Sequence, residues 1–316
     1  MNSETPQVAY IGIGAIGYEI AQNIHKHLIS TTGKPLLIHN RTLTRAEALK
    51  KRVPDIQIAE TLIQVAEQAN IIFTCLLNDT AVTQVIDTLL SHGLKPGTII
   101  IDQSTIAPAM TQQLVEKIQH HNDCHFVACP IMGPPAKARA AALIILAAGD
   151  ANILEKKVLP ILIPATGPKA IRLGNEPKKA LQMKLTGNYF ITSLVEMVAE
   201  GTTLAEASGV GQEKVQELMD ALFPGSVIPA YTNRMVQNTF FNEFHFPLTS
   251  AKKDATHILN MANEYNVKLP VTEIFMDHLN TVVNDLGDYD ITGVVAQTRR
   301  EAGLNPDGST RPVPEK

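Results

Sequence analysis

The run Val8-Ala9-Tyr10-Ile11 passes directly into Gly12-Ile13-Gly14-Ala15-Ile16-Gly17, and a helical pattern follows from Glu19 to Ser30. An apolar strand, three glycines at G-x-G-x-x-G spacing and then a helix leave few folds open. The first glycine permits a tight turn, and the second removes a side chain where backbone must approach a pyrophosphate. The third lets helix and strand pack closely. Unpaired N–H groups and positive potential at the helix N-terminus make the whole loop an anion cradle. Gly12, Ile13, Gly14, Ala15, Ile16 and Gly17 are therefore candidate dinucleotide-binding residues.

To about residue 170 the chain keeps that rhythm. Apolar runs at Val8–Ile11, Leu36–His39, Ile71–Leu77, Thr98–Asp102, His125–Val127 and Leu143–Ala148 alternate with helical patterns at Glu19–Ser30, Arg45–Arg52, Thr80–Ser91 and Met110–His121. Strand–helix alternation with nearly continuous apolar strands predicts a parallel, doubly wound Rossmann-type α/β domain. Pro160, Pro164, Gly167 and Pro168 mark its close, so residues 1–172 are the expected cofactor domain. After Gly174 strand-like runs nearly vanish. Helical patterns cover Lys178 to about Ala207, Glu213–Leu222, Ala251–Asn263 and Val271–Leu286, which predicts an all-helical domain over residues 173–304. Its first helix carries apolar or small residues around much of its circumference, among them Phe190, Leu194, Val198, Thr202 and Ala205. Burial on most sides is implied, between domains or subunits, and with it an expected homodimer or homotetramer. Residues 305–316 show Pro, Gly and charge without periodicity and are expected to form a disordered tail.

Composition closes off other classes. A chain of 316 residues with 45% hydrophobic and 18% charged residues is that of an ordinary globular protein, long enough for two cores. Its net charge of −4 provides no field for collecting nucleic acid or anionic membrane. The first six residues lack the basic flank and apolar stretch of a signal peptide, and no window has the roughly 18 apolar residues of a membrane span. Three cysteines, Cys75, Cys124 and Cys129, have neither disulfide-framework nor metal-ligand spacing. A soluble, cytoplasmic, metal-free protein is expected, with a small-molecule substrate and no membrane partner.

The second strand chooses between cofactors. An acidic residue at its end, about 20 residues past the glycines, would accept the ribose 2′-hydroxyl of NAD. Here Leu36-Leu37-Ile38-His39 ends in Asn40-Arg41-Thr42, with no carboxylate. Arg41 can grip a 2′-phosphate bidentately, Asn40 and Thr42 add polar contacts, and Arg45 is either a second cation there or a solvated helix residue. NADP is the expected cofactor. Ligands of open α/β sheets bind beyond the carboxyl ends of the strands, so Leu76 and Leu77 after the fourth strand, and Ser104 and Thr105 after the next, should line the site. Ser104 is a candidate for the substrate. Thr105 is either a cofactor ligand near the nicotinamide or a cap hydroxyl.

In Met183-Lys184-Leu185-Thr186-Gly187-Asn188 an amine and an amide lie one helical turn apart and point the same way. From the residues alone Lys184 is either a solvated helix lysine or, with Asn188, an acid/base pair for hydride transfer.

In this order the motifs resemble the β-hydroxyacid dehydrogenase family, which includes the 3-hydroxyisobutyrate dehydrogenases, tartronate semialdehyde reductases and NADPH-dependent glyoxylate/succinic semialdehyde reductases. The resemblance runs from Val8 to about Ala302. It rests on Gly12–Gly17, Asn40-Arg41-Thr42, Asp102-Gln103-Ser104-Thr105, Leu143–Asp150, Met183-Lys184-Leu185 with Asn188, and Phe246-Pro247-Leu248 before Lys252-Lys253-Asp254. The glyoxylate/succinic semialdehyde reductase branch looks nearest. The resemblance implies a 6-phosphogluconate dehydrogenase-like fold and an NADP-dependent reductase or dehydrogenase acting on a CH–OH group. It also implies Lys184 as the catalytic lysine, Asn188 as the amide that steadies it and the substrate, and Thr105 and Lys253 as cofactor contacts.

One loop departs from the family. After Pro130 such chains usually read Val-Ser-Gly-Gly, whose hydroxyl and N–H groups hold a substrate carboxylate; this one reads Ile131-Met132-Gly133-Pro134-Pro135. Met132 and Gly133 then face the substrate, and the prolines have no N–H to donate. A larger or less polar carbonyl compound is favoured over a short hydroxy acid. Two other functions compete. An imine reductase shares the plan and would suit Met132, although such enzymes typically lack a lysine at the position of Lys184. A non-catalytic NADP-binding module would bind without turnover.

Overall fold

The computed structural model describes residues 5–121 and 123–309. The chain divides between Leu185 and Thr186 into two compact units. The first opens with β1 (Val8–Ile11), α1 (Ala15–Thr32), β2 (Leu37–His39), α2 (Leu43–Arg52), β3 (Gln57–Ile58), α3 (Leu62–Gln68), β4 (Ile71–Thr74), α4 (Asp79–His92), β5 (Ile99–Asp102), α5 (Pro108–Ile118) and β6 (His125–Ala128). These six strands form one parallel sheet in the order β3-β2-β1-β4-β5-β6. The order reverses between β1 and β4, and ligands of such sheets bind beyond the strand ends at that point.

Successive side chains of a strand face opposite ways, and here both faces are covered, which is why the strands read as unbroken apolar runs. Val8 and Tyr10 enter one core with Ile20, Ile24 and Leu28 of α1. Ala9 and Ile11 enter the other with Val82, Ile86 and Leu89 of α4 and Leu114 and Ile118 of α5. The spacing of the α1 and α4 residues places each set on one helical face.

The unit continues with β7 (Ile131–Met132), α6 (Pro135–Arg139), β8 (Ile144–Ala147), α7 (Ala151–Ile153), α8 (Leu159–Ala165) and β9 (Lys169–Arg172). The Leu143–Ala148 run, expected in the parallel sheet, instead forms β8 at the centre of a second sheet, β7-β8-β9. There β8 pairs antiparallel with β7 and parallel with β9.

Next comes α9 (Lys178–Ala207), a helix of 30 residues. Its first turns belong to the first unit, because Ala180 and Leu181 are buried in the same core as Ile100, Leu146 and Ala148. The two compact units therefore meet within α9, between Leu185 and Thr186. The second unit comprises the rest of α9, then α10 (Gln212–Leu222), α11 (Ile228–Val236), α12 (Leu248–Glu264), α13 (Pro270–Asp285) and α14 (Val295–Glu301). Among its described residues there is no β-strand, only an isolated bridge between Pro247 and Asp290. Val195 and Ala199 of α9 pack there with Ala251 and Ala255 of α12 and Phe275 and Leu279 of α13. Arg299, fully buried, donates to Glu206, Gln212, Asn238 and the carbonyls of Met235 and Pro306, and so ties residues just past α14 to the bundle. Of the expected tail, residues 305–309 turn back through Asn305, which donates to the Ser309 carbonyl; residues 310–316 lie outside the described residues. No helix among the described residues is long and apolar enough to cross a membrane.

Candidate active site

The glycine turn gives the plainest geometry. Gly12 sits at φ +104°, and a Cβ there would come within 2.2 Å of the Cys75 carbonyl oxygen, so only glycine fits. A Cβ on Gly17 would reach within 2.0 Å of the Gly12 carbonyl oxygen, which is what brings α1 down onto β1. At Gly14 a Cβ would meet nothing within 4 Å. That open space lies at the start of α1, whose N-cap is Gly14, without a side-chain cap and without acidic residues in the first turn. The helix-start N–H groups lack intrahelical acceptors. A bare, positively polarised helix end beside open space at the middle glycine fits a pyrophosphate. Beside it a concavity of about 350 Å3 is lined by Ile13, Gly14, Ala15, Tyr18, Glu19, Arg45 and Ala48.

At the end of β2, both polar ends of Asn40 are engaged. Its Oδ1 accepts from the Ile13 N–H at 2.8 Å, and its Nδ2 donates to the Thr42 carbonyl at 2.8 Å. Asn40 thus fastens the glycine turn to the β2–α2 connection. Arg41 and Thr42 are exposed, and Thr42 heads α2 without a side-chain cap bond. Neither Arg41 nor Arg45 makes an ion pair among the described residues. Two unneutralised guanidinium groups at this corner suit a phosphate.

Beyond β4 and β5 the arrangement is tighter than the strand pattern shows. Ser104 Oγ donates to Asp102 Oδ1 at 2.6 Å and accepts the Leu76 N–H at 2.9 Å, so it joins the loops after β4 and β5. Asp102 is fully buried, and its Oδ1 also accepts from Thr74 Oγ1 and the Ser104 N–H. Burial pushes its carboxyl up to about 6 in spite of these bonds. Tyr10 donates to Gln103 Oε1 at 2.8 Å beneath the same strand ends. Burial raises the Cys75 thiol to about 11; the Asp102 carboxylate adds to this, while the Tyr10 hydrogen bond and the Lys184 charge oppose it. Cys75 is therefore no nucleophile near neutral pH. Leu77 is exposed and Leu76 half-buried; Thr105, also half-buried, lies one residue beyond the Ser104 link.

Lys184, half-buried on α9, brings its Nζ to 3.3 Å from the Met132 sulfur. Two candidates 52 residues apart thus meet inside the first unit. Met132 packs against the core that holds Leu181 and Leu146, so the amine stands beside an apolar wall. Gly133, exposed at φ +135°, turns the chain into α6.

In the second unit Asn188, buried and one turn along α9 from Lys184, donates from Nδ2 to Asp254 Oδ2 at 2.6 Å. Lys253 Nζ lies 2.9 Å from Asp254 Oδ1. Asp254 is buried and links the amide to the amine. In the sequence it only follows Lys252-Lys253; its bond to Asn188, across 66 residues, is invisible there. Asp102 is missed as well, although an acid ending the run Ile99-Ile100-Ile101 is a signal that a buried strand end is doing more than filling a core. No metal-binding group of His, Cys, Asp or Glu exists among the described residues.

Comparison with known proteins bears on the family and the fold. Residues 7–171 match the family model of the NAD binding domain of 6-phosphogluconate dehydrogenase, and residues 179–297 that of the NAD-binding domain of NADP-dependent 3-hydroxyisobutyrate dehydrogenase. The chain is similar to the NADH-dependent oxidoreductase ucdB of Aspergillus ustus, 28% identical over 92% of this chain and 98% of the relative. It is also similar to 3-sulfolactaldehyde reductase of Escherichia coli, 27% identical over 94% of this chain and 97% of that one. The solved structure of Mycobacterium tuberculosis 3-hydroxyisobutyrate dehydrogenase with L-serine has the same fold, with a TM-score of 0.79 at 19% identity over 94% of this chain and 100% of that one. With its dinucleotide-binding domain followed by a helical one, the chain belongs to the β-hydroxyacid dehydrogenase family of NAD(P)-dependent oxidoreductases acting on CH–OH groups.

Proposed function

We propose that the protein transfers a hydride between NADPH and the carbonyl of a small aldehyde or keto/hydroxy acid, with Lys184 as general acid/base. The observation that carries this reading is the Lys184 amine held half-buried at 3.3 Å from the Met132 thioether. A thioether is a weak acceptor, so it shapes the amine's surroundings without competing strongly for its protons. When bound, the reduced nicotinamide supplies the hydride. As an ammonium, Lys184 protonates the carbonyl oxygen as that oxygen gains charge; in the reverse direction the neutral amine takes the hydroxyl proton. Asn188, one turn further along the same helix, is fixed by Asp254 and orients the substrate. Lys253 and Thr105 are assigned to the cofactor.

The preference for NADP rests on the β2 end, where Asn40, Arg41 and Thr42 stand in place of a carboxylate. The apolar wall at Met132, with Pro134 and Pro135 beside it, favours an aldehyde or a weakly polar carbonyl compound over a short hydroxy acid. The protein is read as a homodimer or homotetramer.

An oxidation screen tests this reading: NADPH and NADH, each against short aldehydes, keto acids and cyclic imines, with wild type and Arg41→Ala. Expected are carbonyl turnover with NADPH and, in the variant, a loss of about tenfold or more in NADPH kcat/KM with NADH little changed. Turnover of imines alone would move the assignment to an imine reductase. Cofactor binding without turnover would reduce the protein to a nucleotide-binding module.

A further inference from the structure

The glycine turn is held from two sides. On the β2 side the Gly12 N–H donates to the His39 carbonyl at 3.0 Å and the Ile13 N–H to Asn40 Oδ1 at 2.8 Å. On the β4 side there is a close stop: the Cys75 carbonyl stands where a Cβ on Gly12 would fall, and the Leu76 side chain is next to it. The height of the turn therefore depends on where residues 75 and 76 lie. Cys75 is tied to β1 by its N–H, which donates to the Ile11 carbonyl at 2.9 Å. Leu76 has passed the end of the sheet, and its N–H is held by Ser104 Oγ at 2.9 Å. Ser104 is in turn held by Asp102, through its hydroxyl at 2.6 Å and its N–H at 3.2 Å.

We propose that Asp102 and Ser104 form a positioning relay that sets the glycine turn beneath the cofactor's pyrophosphate, acting through the Leu76 N–H and the Cys75 carbonyl. Neither touches the reacting atoms in this role. Asp102 is 0% exposed and Ser104 2%, so water does not compete for the bonds between them. A buried carboxylate fixes its hydroxyl partner more firmly than a neutral acceptor would. Its second oxygen, Oδ2, finds no donor among the described residues, so the bonding all converges on Oδ1, which also takes the Thr74 hydroxyl at 2.8 Å. The pyrophosphate is common to both dinucleotides, so the relay serves NADPH and NADH alike. It rests on dinucleotide binding by the first unit and is independent of Lys184 as acid/base.

Two measurements test the relay. Titration of NADPH and of NADH, followed by nicotinamide fluorescence, compares wild type with Ser104→Ala and Thr74→Val. Ser104→Ala cuts the link to Leu76, whereas Thr74→Val removes another bond to the same Asp102 oxygen and leaves the link intact. Ser104→Ala is expected to weaken both cofactors by about tenfold, and Thr74→Val by less than about threefold. Native-state hydrogen exchange is expected to show the Leu76 amide of the wild type, without cofactor, protected like strand amides. That protection should drop at least about tenfold in Ser104→Ala and persist in Thr74→Val. Equal weakening by both substitutions would mean general destabilisation and would overturn the relay. Ser104→Ala binding within about twofold of wild type would do the same. So would rapid exchange of Leu76 in the wild type, a result that does not depend on any variant folding.

Discussion

Asp102 carries its charge where the fold gives it almost no water. Two hydroxyls and one N–H converge on a single carboxylate oxygen, and burial still outweighs them, lifting the carboxyl from 3.8 to about 6. A carboxyl raised in the fold favours the neutral form there, so its contribution to stability is complete below about pH 4 and is lost as pH rises through about 6. A shift of roughly two units corresponds to about 3 kcal/mol. Asp102→Asn keeps the shape without the titration. Denaturant unfolding at about pH 4 and about pH 7 should show wild type losing about 3 kcal/mol relative to Asp102→Asn across that span. Parallel pH curves for the two proteins would refute it. The relay thus gives up stability at neutral pH to hold a strong acceptor beneath the cofactor loop. Asp254 is the counterpart in the second unit, a buried carboxylate linking Asn188 and Lys253. Neither pairing is legible locally, because the partners lie 28 and 66 residues away for Thr74 and Asn188 respectively. The glycine turn is legible because its chemistry is carried by backbone geometry that glycine spacing alone specifies.

Among the elements, α9 carries both buried and exposed apolar residues. Val195, Val198 and Ala199 face the bundle core, while Phe190, Met197 and Leu204 are 59%, 48% and 70% exposed. Those three recur every seven residues, the spacing that keeps a stripe on one side of a helix and suits it to another helix. A second copy of the same helix presents a matching stripe, as a two-fold axis requires. If the proposed oligomer forms through this stripe, Leu204→Glu should shift the protein towards monomer in light scattering coupled to size exclusion, with its circular dichroism unchanged. An unchanged mass would mean that the stripe is not the contact. The longer helices and the apolar strands could be read from their patterns, whereas several other elements could not. β3 has only Gln57 and Ile58, too few to show a period. α11 opens Ile228-Pro229 behind Pro224 and Gly225, so its start reads as loop, although proline suits the first helical turn. The β8 run is apolar throughout, and such a run states burial without stating which sheet it joins.

For the molecule as a whole, alternation of strands and helices predicts the first unit and loss of strands predicts the second, and both are found. The division between them is less visible, because the opening turns of α9 belong to the first core while their composition resembles that of the helical unit. That placement bears on the proposed catalysis. Ala180 and Leu181 anchor the start of the helix, and the anchor sets the Lys184 amine against Met132. Catalysis of the proposed kind requires this amine to give or take a proton as the hydride moves. Single-turnover NADPH oxidation by Lys184→Ala, with a carbonyl compound the wild type reduces and with NADPH affinity measured alongside, tests it most directly. The expected result is a rate about 10²–10⁴-fold lower with affinity within about threefold of wild type; a rate within about threefold of wild type would contradict the assignment.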